Sequence, residues 1–173
     1  MEYLDFSCDR QAKNDFTAST DAYDKEEAYP GTFQFFEMDD NGNLVPFGSS
    51  AVSITSHYDI WGNYITSAGT QKYVFELKER HHPSTRYTTA FINEEKWPEF
   101  LPYIEKGWKV IWVELYTDDT IRVWDLTKVD FTKLPLSKRW IKKTTVDPNS
   151  PKVLQLRREI PMEWGKIIRR IKG

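Results

Sequence analysis

The segment Lys72-Tyr73-Val74-Phe75-Glu76-Leu77-Lys78 is rich in β-branched and aromatic residues and predicts a strand. On a strand, Glu76 and Lys78 project from one face and Leu77 from the other. A carboxylate and an ammonium on an otherwise apolar strand are costly unless that face is wet, paired or put to use. Upstream, Asp59 sits in Tyr58-Asp59-Ile60-Trp61, a segment suited to form the neighbouring strand. Two carboxylates on adjacent strands can grip one hard divalent cation and leave positions for water and a phosphate oxygen. A lysine one pleat away can orient or activate that water. Without metal, removing one of two such carboxylates should relieve repulsion. Plainer roles stay open: Asp59 as a turn residue before Gly62-Asn63, and Glu76 with Lys78 as a solvated edge-strand pair.

These residues need elements to hold them. Residues 9–27 are polar and predict an opening helix, punctuated by Pro30 and Gly31. Asn41-Gly42 between apolar runs predicts a hairpin pairing Phe33–Glu37 with Leu44–Phe47. Ala51–Thr55 alternates, Gly62-Asn63 reads as a turn, Tyr64-Ile65-Thr66 as the start of a return strand, and Ser67–Thr70 as loop. Asn93 reads as an N-cap, with Glu94 and Glu95 in the first turn. Trp97, Phe100, Leu101 and Ile104 then recur at helical spacing up to Gly107, with Pro102 as an internal objection. Lys109–Tyr116 and Thr120–Leu126 are strands joined at Asp118-Asp119. Residues 127–151 read mostly as loop, Val153–Leu156 as a strand, and Pro161 through Ile171 as a terminal helix. The order predicts a single α/β domain with a central mixed sheet flanked by helices, its core over about 50–128 and a basic C-terminal extension over 129–173.

A chain of 173 residues suits one domain, and 39 % hydrophobic with 29 % charged residues fits a globular fold rather than disorder. A formal net charge of −2 argues against a non-specific nucleic-acid coat, so any such site must be local. The last third supplies a local basic cluster, including Lys138, Arg139, Lys142, Lys143, Arg157 and Arg158. Cys8 alone forms no intrachain disulfide and no cysteine-rich zinc site. No apolar run is long enough for a membrane span, and the N-terminus lacks a signal-peptide pattern, which makes a cytosolic protein the default. G-x-x-x-x-G-K-[ST], H-E-x-x-H and G-x-S-x-G do not occur. Glu94-Glu95-Lys96 repeats the Glu-x-Lys pattern, but on a helical surface.

Asp59, a hairpin-like stretch and then Val74-Phe75-Glu76-Leu77-Lys78 resemble the D…(D/E)xK signature of the PD-(D/E)xK nuclease superfamily, with Tyr58 where the signature has proline. The following helix and strand 109–116 come in the order of a restriction-endonuclease-like core. The resemblance covers under half the chain. It implies a Mg²⁺ or Mn²⁺ deoxyribonuclease in which Asp59, Glu76 and the Leu77 carbonyl hold the metal and Lys78 is catalytic. It also implies a further acidic residue from an N-terminal helix, for which Asp15, Glu26 and Glu27 are candidates. Arg80, His82, Lys96, Lys142 and Lys143 are the candidates for DNA contact, while Tyr87 and Trp97 read as packing residues. Small size suggests a phage or mobile-element accessory protein, in the host cytoplasm or virion, with a homodimer or phage partner open. The competing expectation is a catalytically silent binding or assembly module of the same fold.

Overall fold

The computed structural model describes residues 6–49, 59–142 and 149–169, with the side chains of 6–9, 59, 142 and 169 outside the described set. Helix α1 (Phe6–Glu26) opens the chain, followed by β1 (Thr32–Met38), β2 (Leu44–Pro46), β3 (Asp59–Thr66), β4 (Gly69–Glu79) and β5 (Thr89–Asn93). A 3₁₀ turn (Glu94–Lys96) leads into α2 (Trp97–Glu105), then β6 (Lys109–Leu115) and β7 (Thr120–Asp125). After a second 3₁₀ turn at Phe131–Lys133 come β8 (Leu136–Lys142), β9 (Lys152–Pro161) and β10 (Lys166–Arg169).

Seven strands form one mixed sheet in the order β10-β7-β6-β4-β3-β1-β2, and β5-β9-β8 form a second. Among the described strands only β4 and β6 pair in parallel; the other pairs are antiparallel. The β4–β6 crossover contains β5 and α2, as a parallel pair requires a long connection. Val110 to Leu115 are all buried, the continuous run expected of a central strand covered on both faces. Phe75, Leu77, Ile111 and Val113 pack with Ala12 and Phe16 of α1. The alternate residues Val74, Val110 and Trp112 pack with Phe100 of α2 and with Ala90, Ile92 and Ile160 of the second sheet. The domain is α/β, as expected, and none of its described helices is long and apolar enough to cross a membrane.

The Asn-Gly hairpin forms, with Met38 opposite Leu44, but three other expectations are corrected. Gly62-Asn63 is no turn: β3 runs through it, and the chain reverses at Ser67-Ala68, between Thr66 and Gly69. Gly62 serves close packing, since a Cβ there would stand 3.0 Å from the Phe75 ring. Asn93 does stand at the N-cap position, with Glu94 and Glu95 in the first turn, but it caps a 3₁₀ turn rather than the α-helix, makes no side-chain capping bond and also ends β5. The expected terminal helix is β10, which completes the open edge of β7. There Ile168 is buried and Ile167 is 47 % exposed, the opposed pattern of a strand rather than a shared helical face. Residues 129–169 carry β8, β9 and β10. Their strands complete the first sheet and most of the second.

Candidate functional site

Antiparallel pairing of β3 with β4 sets Asp59 opposite Glu76. Facing residues of such a pair have Cα atoms roughly 4.5–5.5 Å apart. Glu76 is only 5 % exposed. Its Oε1 lies 3.1 Å from Lys78 Nζ and 3.2 Å from Lys96 Nζ, the latter delivered by the 3₁₀ turn ahead of α2. Lys96 also reaches Glu99 at 3.3 Å. Burial alone would push the Lys96 ammonium down, but Glu76 and then Glu99 outweigh it and hold its pKa above the ordinary lysine value. Lys96, expected at the nucleic acid, therefore partners the candidate metal ligand. The Leu77 side chain is buried in the α1-facing core, and its backbone stands opposite Val113 in the β4–β6 ladder.

This pairing changes one expectation. Glu76→Ala leaves two ammonium groups facing each other without their shared carboxylate. We expect a loss of about 1–3 kcal/mol in metal-free buffer, the usual cost of orphaning partly buried polar groups. A chelator-treated melt at or above wild type would show that Asp59–Glu76 repulsion dominates instead.

The helical acid candidates do not join Glu76. Helix α1 covers the opposite face of the sheet through Ala12 and Phe16. Asp15 accepts a hydrogen bond from Gln11 at 2.9 Å, and Glu26 and Glu27 lie exposed at the helix end. Among the described side chains, no three His, Cys, Asp or Glu residues gather as a ligand set.

A second buried carboxylate went unnoticed in the sequence. Glu114 lies opposite Lys78 in the β4–β6 register and is 2 % exposed. Arg80 Nε donates to it at 2.8 Å, and the Tyr116 hydroxyl and Trp112 indole N–H also donate. Burial and the neighbouring carboxylate push the Tyr116 phenol far above its ordinary pKa, so it remains a neutral donor. The available signal was a glutamate within an otherwise apolar central strand.

Beyond Glu114 a cleft of about 860 Å³ opens between the end of β4, the following loop and the second sheet. Lys78, Arg80, Arg86, Arg139 and Arg157 line it, against the carboxylates of Glu79 and Glu114. Arg157 lies 4.1 Å above the Phe91 ring, and its Nε is buried without a hydrogen-bond partner. Burial and the nearby Arg139 charge lower its pKa. His82 also lines the cleft, edge-on to Tyr87 at 4.9 Å. Tyr87, expected as packing, is 43 % exposed at this site, whereas Trp97 does pack, stacked on Phe131.

The basic C-terminal residues separate by strand face. Arg139 and Arg157 turn toward the cleft. Arg158 instead binds Glu94 and the Leu134 carbonyl, a structural role. Lys142 ends β8 with its side chain outside the described set, and Lys143 lies outside the described residues altogether. No family model, curated protein or solved structure matches this chain.

Proposed function

We propose that the chain is a metal-dependent nuclease acting on DNA phosphodiesters. The observation that carries this reading is the register of Asp59 opposite Glu76, with Lys78 one pleat on and lining a cationic cleft. The donor set fits a hard cation: Asp59, Glu76 and the Leu77 carbonyl would hold Mg²⁺ or Mn²⁺ through oxygen. Glu99 gives Lys96 a second partner if Glu76 turns to a metal. When bound, such a cation polarises the scissile phosphate and acidifies a bound water. Lys78 orients the attacking water, and the cleft arginines hold phosphates on either side of the reacting one.

The second reading is a catalytically silent binding module. Its support is that Glu76 is already neutralised by two lysines and that no third acidic ligand joins it among the described side chains. Purified protein incubated with Mg²⁺ or Mn²⁺ on linear, circular, branched and single-stranded DNA, and on RNA, separates the two. Metal-dependent cleavage of DNA, lost in Glu76→Ala, supports the nuclease. Folded protein that cuts none of these substrates would leave the silent module standing.

A further inference from the structure

We infer that the cleft between the two sheets is a binding groove for a single nucleic-acid strand, with Arg139 and Arg157 as its phosphate contacts. It deepens the nuclease reading at the same cleft but requires neither metal nor cleavage, so the two fail separately.

The chemistry begins with an imbalance. Five cationic side chains share the cleft, but Lys78 is paired with Glu76 and Arg80 with Glu114, which Tyr116 and Trp112 also satisfy, leaving Arg86, Arg139 and Arg157 against Glu79. The excess charge therefore rests on the other wall. Strands β8 and β9 place Arg139 opposite Gln155 and Ser137 opposite Arg157, so the two arginines lie diagonally on one sheet face. Like charges held side by side repel, and an arriving anion removes that penalty. The Nε of Arg157 is buried without a hydrogen-bond partner, so a guanidinium that turns to meet an anion gives up no bond there.

The aromatic component selects the class of anion. Phe91 lies beneath the Arg157 guanidinium, while Tyr87 stands exposed beside His82. Guanidinium groups interleaved with aromatic rings suit phosphates alternating with bases, as in other single-strand grooves. An acidic peptide would use the charges but gain less from the rings. The cleft volume of about 860 Å³ lies in the range of small-ligand pockets, which favours a single strand over a duplex as the occupant.

The test uses fluorescein-labelled oligo(dT) and a hairpin duplex with the same number of phosphates, both in EDTA, read by anisotropy over a salt series. The single strand should bind the full chain more tightly than the duplex. Arg139→Gln should reduce the slope of log affinity against log salt by about 0.7, the value for one single-strand phosphate contact. Arg157→Gln should do the same, and Arg139→Lys should keep most of the slope. Because Arg139 is exposed, its variants test the groove even if Arg157→Gln fails to fold. Tyr87→Ala should weaken binding about 5- to 150-fold if a base stacks there. The inference is overturned by absent binding, by equal or tighter duplex binding, by an unchanged slope in Arg139→Gln, or by equal competition from poly-glutamate of matched charge.

Discussion

On the proposed nuclease reading, Lys78→Ala is expected to lower the DNA cleavage rate by roughly 10²- to 10⁴-fold, the usual worth of one positioned acid–base group. Lys78 Nζ lies 3.1 Å from Glu76 and 5.8 Å from the centre of the Trp112 ring, so its position is set from two sides. A protonated lysine does not ligate a cation, and one ammonium is a small part of a multi-phosphate contact. Metal and DNA binding should therefore survive while turnover is lost. Glu76 retains Lys96 in this variant, so the fold should persist as well. Lys78→Arg should rescue poorly, because the guanidinium differs in shape and stays protonated. Single-turnover cleavage with a parallel metal titration checks this. A wild-type rate in Lys78→Ala would remove the lysine from the mechanism.

The largest stability effect is expected far from the cleft, at Glu37. This β1 carboxylate is fully buried and binds Arg10 and Lys13 of α1, with Lys13 Nζ at 3.3 Å. Lys13 is itself nearly inaccessible. Glu37→Ala leaves its ammonium buried beside α1 without that carboxylate, which typically costs about 3–5 kcal/mol. The double variant Lys13→Met/Glu37→Leu removes the two fully buried charges and should recover most of the loss, since apolar replacement of a buried pair is often close to neutral and Arg10, with 38 % of its side chain exposed, can turn to water. Urea denaturation of the two variants measures the difference. If Glu37→Ala unfolds within about 1 kcal/mol of wild type, water reaches Lys13 and the pair carries little weight.

The sequence by itself determined what depends on near neighbours. Period-two patterning and local turns were enough for the β1–β2 and β6–β7 hairpins and for the strand bearing Glu76 and Lys78. Gly107, at φ 84°, ends the α2 segment where its type and position indicated. The same local reading misjudged the β3–β4 reversal, because Gly62 is a turn former by type but a packing residue in place. Only the tertiary structure decided the rest, since those features join residues distant in the chain. Strand β5 pairs with β9 across a long interval, β8 forms against the neighbouring β9, which extends well beyond the expected Val153–Leu156, and β10 forms because β7 offers an open edge. Their own residues specify neither partner. Which sheet face α1 covers is likewise settled by packing, and it separates Asp15, Glu26 and Glu27 from Glu76. Charge clustering marked the C-terminal third as basic, yet strand register turns Arg157 into the cleft and sends the adjacent Arg158 to Glu94. Neighbouring residues on a strand point oppositely, so a one-residue difference decides which guanidinium remains for a ligand.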